Sequence, residues 1–448
     1  MMDKTRLPEN KMGTVPCGRL LFGMAVPMMI SMLVQAFYNV VDSFYVSKLS
    51  EAALNAVSLA FPLQNLMIAF GAGTAIGINA LLSRSLGEKN QDMVDRSANT
   101  GIFLSILCAV VFAIVGATVS GPFFAMQTSV PEIVEGGTAY ASICLIGSVG
   151  IFSQFCFERL LQSTGKTMHS MVTQTIGAVI NIILDPIFIF NLNLGVAGAA
   201  WATITGQMVA AIIALILNIR CNKEINLSIK KVRWDTEVAK RIYTVGFPSI
   251  LMQSVGSVMN FGLNQILLSF TPTATAVFGI YFKLQSFIFM PIFGLNSGMV
   301  PIIAYNFGAK RPDRVKKTIK LSLITALAIM ACGVFAFEVF PEALLGIFSA
   351  TPEMIAIGVP AFRSIALCFL LAAFCIISIS VFQAIGNPMH STVVSICRQL
   401  GVLLPVAWLF AQTGNIDLVW FSFPIAELFS VVLCAIFLKK TLAKLRHI

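Results

Sequence analysis

Long apolar stretches alternate with short polar connections along the whole chain, at residues 16–46, 53–83, 97–122, 133–160, 170–192, 196–219, 242–270, 275–306, 318–341, 355–384, 391–413 and 418–438. Each is long enough to carry an α-helix through the hydrocarbon of a bilayer, so the pattern predicts twelve spanning helices and no strand. The second and eighth stretches exceed the roughly 20 residues a straight span needs and should tilt or project beyond the lipid. Pro27, Pro62, Pro186, Pro248, Pro291 and Pro360 fall inside spans. Neighbouring helices can satisfy the carbonyls they free, and bends rather than breaks are expected there.

The apolar pattern is also doubled. At an offset of 221 residues Pro27 meets Pro248, Asn39 meets Asn260, Gln64 meets Gln285, and Gly73, Gly77 and Gly87 meet Gly294, Gly298 and Gly308. Lys89 and Asp92 meet Lys310 and Asp313, and Gln162, Gly165, Met168, His169 and Ser170 meet Gln383, Gly386, Met389, His390 and Ser391. Apolar coincidences are cheap in a membrane sequence, but matched Gly, Gln, Lys, Asp and His in one register mark a structural repeat. Six helices return the chain to its starting side. The halves therefore share one orientation, related by a pseudo-two-fold axis along the membrane normal, with a cavity between them. The expected layout is an all-α membrane protein with an N-terminal six-helix lobe over 15–220, a linker over 221–240 and a C-terminal six-helix lobe over 241–440.

Composition agrees, with 57% hydrophobic and only 11% charged residues. The net charge of +10 does not require a nucleic acid, because 26 of the 30 Lys and Arg cluster on one side of the predicted topology. They include Lys4, Arg6, Lys11, Arg84, Arg159 and Lys166, the group from Arg220 to Arg241, that from Lys310 to Lys320, and Lys439 to Arg446. By the positive-inside rule both termini are expected in the cytoplasm of a cell whose plasma membrane holds the chain. The ten Cys are scattered singly, and neither disulfides nor zinc are expected. The first apolar run has no early small-residue cleavage site and reads as a retained helix. Gly73 and Gly77 have the small-xxx-small spacing of close helix contact, and no phosphate-binding loop is present. His169 and His390, each just after a repeated glycine, read as turn or helix-start residues.

The polar chemistry is not doubled. Asp42 aligns with Leu263, Glu158 with Ile379, Asn181 with Val402, Asp185 with Val406 and Thr203 with Pro424. A carboxylate at mid-span costs about 2.5–3.5 kcal/mol on insertion scales and a leucine returns about 0.3–0.6, so each acid cancels several leucines and is a candidate functional group. Asn181 and Asp185, four apart, share a helix face, as do Gln154 and Glu158. If these faces converge on Asp42, the carboxylates cannot all ionise easily, and the cluster could hold a proton or, with Asn181 and Thr203 oxygens, a sodium ion.

The stretches Asn39-Val-Val-Asp42-Ser-Phe-Tyr-Val, Asn181-Ile-Ile-Leu-Asp185-Pro186, Gly246-Phe-Pro248 and Val300-Pro301-Ile-Ile-Ala-Tyr305-Asn306-Phe-Gly308 together resemble the multidrug and toxic compound extrusion (MATE) transporters over nearly the whole chain. The resemblance implies a secondary antiporter, not an enzyme. It would export organic cations or amphipathic drugs in exchange for protons or sodium, as a monomer without a cofactor. It makes Asp42 the first-helix acid and Asn181, Asp185 and Thr203 the cation site, which would also be the metal site in a sodium-coupled protein. Glu158 falls where members carry an amide or a carboxylate, and Gln35, Tyr38, Asn39 and Gln154 would line the substrate cavity. Spans 242–270 and 355–384 contain no Asp or Glu, unlike the NorM-like branch, which implies coupling through the N-lobe. A lipid-linked precursor flippase of the same superfamily is the alternative, although the in-span bases Lys283, Arg363 and Arg398 are few. A non-transporting receptor or scaffold would have no need of the acids.

Overall fold

The computed structural model describes residues 10–348 and 350–444; Lys4, Arg6 and Arg446 of the predicted basic side lie outside them. A short helix, α1 (Lys11–Thr14), leads into α2 (Cys17–Ser47), α3 (Glu51–Gly87), α4 (Gln91–Gln127), α5 (Pro131–Ile146), α6 (Val149–Ser163), α7 (Thr167–Pro186) and α8 (Gly195–Cys221). The second half follows as α9 (Thr236–Leu268), α10 (Pro272–Gly308), α11 (Pro312–Val339), α12 (Pro341–Gly346), α13 (Pro352–Ala366), α14 (Phe369–Ile385), α15 (Pro388–Ile396), α16 (Leu404–Ala411), α17 (Ile416–Trp420) and α18 (Ser422–Lys444). Polar side chains start these helices where the chain leaves the apolar region. Ser50 accepts from the Ala53 amide at 3.0 Å and Asn90 from Met93 at 3.1 Å, each satisfying an otherwise orphaned donor. Large apolar side chains such as Ile114, Trp201, Phe335 and Val432 remain exposed around the bundle, as a lipid-facing surface requires.

Ten spans are single long helices and two are bent pairs, α5 with α6 at 42° and α13 with α14 at 49°. The twelve expected spans are thus present, but the expectation of unbroken helices over 133–160 and 355–384 is corrected. The breaks fall at Gly147-Ser148 and Leu367-Cys368, within one residue of the repeat register and at no proline. Pro27, Pro62, Pro248, Pro291 and Pro360 lie within continuous helices. Pro186 ends α7 and is followed by a π-helical turn, Ile187–Asn191, in which Leu192 N–H reaches the Ile187 carbonyl at 2.9 Å. A second π stretch covers Cys397–Leu403.

The repeated glycines are the seam between the lobes. A Cβ on Gly77 of α3 would strike the Ile242 carbonyl of α9, and one on Gly298 of α10 would meet the Ala25 backbone of α2 at 2.7 Å. Gly87 faces the Tyr305 carbonyl and Gly308 the Arg84 carbonyl in the same reciprocal way. Each lobe's second helix therefore crosses onto the other lobe, backbone against backbone, towards the end that carries the basic connections. Asn65 also donates to Ser257 across the seam. The linker is docked rather than loose: Asn226 and Ser228 amides donate to Asp95 and Asn99 of α4 at 2.9 and 3.1 Å. Asp235 caps α9 and pairs with Arg96 at 2.8 Å. Burial by itself would raise its carboxyl, but the Val238 amide and Arg96 outweigh it and hold it below the usual carboxylate range.

One helix crossing differs between the lobes. In the N-lobe, Gly177 of α7 and Gly206 of α8 let two backbones touch, a Cβ on Gly206 lying 2.6 Å from the Gly177 carbonyl. Their repeat mates are Arg398 and Glu427, which form a 2.7 Å ion pair between the π stretch and α18. Glu427 is 8% exposed and its Oε2 has no hydrogen-bond partner among the described residues. Removing one member of such a buried pair costs about 3–5 kcal/mol, whereas replacing both with apolar side chains is often neutral. Glu427→Leu alone should lower the detergent-solubilised melting temperature sharply, and adding Arg398→Met should recover most of the loss. A double variant no more stable than the single one would show that the pair is not the strut described.

Candidate functional site

Asp42 and Glu158 open into one cavity of about 560 Å³ in the first half, bounded by α2, α3, α5, α6, α7 and α8, and Asp185 is buried one turn beyond Asn181 of its wall. The cavity occupies the part of the bundle away from the glycine seam. Asp42 comes from α2, three turns beyond Ser31, and Asp185 from the last turn of α7. The two carboxyls are neighbours that act on each other electrostatically. Two neighbouring carboxylates in one low-dielectric pocket do not both ionise easily. Asp185 is fully buried, and the Oδ1 atoms of both residues lack any donor among the described residues.

Asn181, one turn before Asp185, completes this corner. With its amide nitrogen towards Asp185 it donates to Oδ2 at 3.2 Å, while its oxygen accepts from the Thr203 hydroxyl at 3.2 Å and amide at 3.1 Å. Pro186 next to Asp185 has no N–H to give, and the π turn that follows shifts the helix register there. Asp42, Asp185, Asn181 and Thr203, predicted from separate segments, thus meet.

Glu158 lines the same cavity but is held apart from that pair. It is 2% exposed, and its carboxylate accepts from Gln154 at 2.9 Å, Thr173 at 3.3 Å and Gln174 at 2.6 Å. Gln174 in turn accepts from Ser31 of α2. The expectation that Glu158 converges directly with Asp42 and Asp185 is refined to two separate places: the Asp42–Asp185 corner, and a single carboxylate held by two amides and a hydroxyl. Arg159 points away from Glu158 towards Gln162 at 2.6 Å and Ser297 at 3.4 Å.

Gln35, Tyr38, Asn39 and Gln154 all line the cavity, as expected. Phe61, Gln64, Tyr140, Phe155 and Gln174 join them. Gln64 donates to the Tyr140 hydroxyl at 3.2 Å and turns that ring's polar edge inward. Gln174 was legible in principle, since it lies seven and eleven residues before Asn181 and Asp185 and so on their helix face. Tyr140 and Phe155 carry no such signal, because an aromatic residue in a span packs in most places. No group of three or more His, Cys, Asp or Glu suited to a metal occurs among the described residues. A sodium ion would depend on the two Asp and on amide and hydroxyl oxygens.

The sequence matches the MatE family model twice, at residues 27–187 and 248–409, the two matches starting one repeat apart. It is 29% identical over 409 residues to a Staphylococcus saprophyticus protein named multidrug export protein MepA, covering 90% of this chain and 89% of that one. It is 26% identical over 437 residues, 94% of each chain, to a Shewanella oneidensis FAD transporter. A structure described as the outward-facing conformation of a multidrug resistance MATE family transporter superposes with a TM-score of 0.93 over 99% of this chain and all of that one, at 24% identity. The doubled match and the shared architecture place the chain in the MatE family, the multidrug and toxic compound extrusion transporters, as a multi-pass membrane transport protein and not an enzyme.

Proposed function

We propose that this chain is a secondary active antiporter of the cell membrane, with both termini in the cytoplasm, that exports organic cations or amphipathic drugs in exchange for protons. It is expected to work as a monomer, since one chain contains both lobes and the whole cavity. Relatives named multidrug export proteins support the direction and the substrate class. The observation that carries the coupling is the placing of Asp42 and Asn181 on the cavity wall, with Asp185 buried beside them within reach of the Asn181 amide. With a proton on one of them, Asp42 and Asp185 hold a single charge; without it two like charges face each other in a low-dielectric pocket, and a cationic substrate or a cation must compensate. Proton and drug then compete for one site, and exchange follows when each favours a different lobe arrangement. Glu158 provides a second acidic group on the route from the basic, cytoplasmic end.

The acids of the cavity favour protons over sodium. Asn181 itself can serve either ion, its NH₂ turned to Asp185 in one amide orientation and its oxygen in the other, and the preference for protons rests on the extra acid Glu158 in the same cavity. Acidic walls with Tyr38, Phe61, Tyr140 and Phe155 suit a flat cation, and they disfavour the anionic flavin nucleotide that a relative's name implies. They equally disfavour the flippase reading, because the in-span Arg398 is neutralised by Glu427.

Vesicles loaded with a fluorescent organic cation and subjected to separately clamped proton and sodium gradients test these roles. Proton-driven efflux is expected, with Asp42→Asn and Asp185→Asn each lowering it by about tenfold or more, the loss of one 1.4 kcal/mol coupling term. Undiminished gradient-driven efflux in both variants would sink the assignment, and efflux that follows only sodium would replace the ion. Glu158→Gln keeps the shape and the acceptor oxygen facing Gln154 and Thr173, turns a donor towards Gln174, and removes the charge. It should flatten the dependence of efflux on internal pH while leaving dye affinity within about twofold; an unchanged pH profile would make Glu158 structural.

A further inference from the structure

The segment ahead of the first span, Asn10 to Pro16, lies across the basic end and is held by both lobes in unequal ways. On one side Arg311 donates to the Gly13 carbonyl at 2.5 Å, and Arg314 donates to the Met12 and Val15 carbonyls at 3.0 and 2.6 Å. Asn306 adds a donor to Met12 O at 3.0 Å, and Arg314 Nε fixes Asn306 in place at 3.0 Å. The Met12 side chain is fully buried in a hydrophobic cluster built mainly from the second half, including Val315 and Ile319. On the other side the grip is lighter: Lys11 rests on Gly165 and, among the described residues, the Asn10 amide makes the hydrogen bonds. Asn10 Nδ2 donates to the Thr164 carbonyl and to Glu224 Oε1, both at 3.1 Å. Glu224 is shared with Lys166. Lys11 lies over Gly165 beside Lys166, and burial together with that like charge lowers its ammonium below the ordinary lysine range.

We infer that this segment is a latch on the cytoplasmic gate: although continuous with the first helix of the N-lobe, it travels with the C-lobe, and the Asn10 contacts to Thr164 and Glu224 are the ones that part when the basic end opens. The inference rests on the exchange mechanism proposed above, which requires the glycine seam to open in part of the cycle. Separation breaks whichever grip is weaker. Three arginine hydrogen bonds to carbonyls and a buried methionine hold one side, against one amide and a carboxylate already engaged by a lysine on the other. Asn10 also closes the turn of α1 by accepting from Met12 N at 2.9 Å, so releasing its Nδ2 leaves that turn intact.

Two cysteine pairs, made in a variant with Cys17 and Cys221 replaced by serine, separate the possibilities. Asn10→Cys with Glu224→Cys ties the segment to the N-lobe; Gly13→Cys with Arg311→Cys ties it to the C-lobe. Bridged by oxidation or by a short bis-maleimide, the first pair should lose proton-driven dye efflux by about tenfold or more, with recovery of the disulfide form on reduction. The second should retain more than about half of it. Arrest by both bridges, by neither, or by the C-lobe bridge alone overturns the latch. A parent that shows no gradient-driven efflux in the same vesicles fails the exchange reading instead. Spin labels give the same answer without bridging: the 10–224 distance should broaden to a longer population when the gradient is applied while the 13–311 distance stays fixed, and the opposite pattern refutes the assignment.

Discussion

A carboxylate inside a bilayer is costly unless it faces the bundle interior or a cavity, and the placing of Asp42 and Asp185 together in the first half is the constraint on which this structure turns. The two acids stand where α2 packs against α7, at the point where Pro186 and the π turn disturb the helix. Asn181 and Thr203 close the remaining hydrogen-bonding needs of Asp185 on one side. The rest of the cavity, with its amides and aromatic rings, surrounds that corner.

The scaffold around that pair is nearly symmetric, and its symmetry has a mechanical use. Reciprocal glycine contacts bring the second helix of each lobe against the other lobe, so the basic end closes on backbone rather than on long side chains. Close backbone approach gives a tight seal from van der Waals contact with few strong polar bonds to break. The same repeat places the bends of the two broken spans within one residue of its register. Function departs from symmetry in two places: the acidic pocket of the N-lobe has no counterpart, and the Gly177–Gly206 crossing becomes the Arg398–Glu427 pair. The C-lobe carries its charge as a closed pair and the N-lobe as an open, fillable one.

Much of this was present in the linear pattern. Twelve apolar runs, basic residues confined to alternate connections, and a register of 221 residues determined the class, the span number and the doubling, because bilayer thickness and charge cost act on each segment independently of its neighbours. The lone acids stood out for the same reason, and the four-residue spacing of Asn181 and Asp185 already put them on one face. What no local rule could supply was which acids touch. Glu158 stands as close in type and depth as Asp185, yet it binds Gln154, Thr173 and Gln174 while Asp185 meets Asp42. That choice depends on the relative rotation of α2, α6 and α7. Rotation is set by side-chain packing between helices distant in sequence, and hydropathy does not encode it. The breaks at Gly147 and Leu367 and the docking of Asn10 to Pro16 against both lobes belong to the same category. They arise from contacts made only once the bundle has closed, so tertiary structure alone decides them.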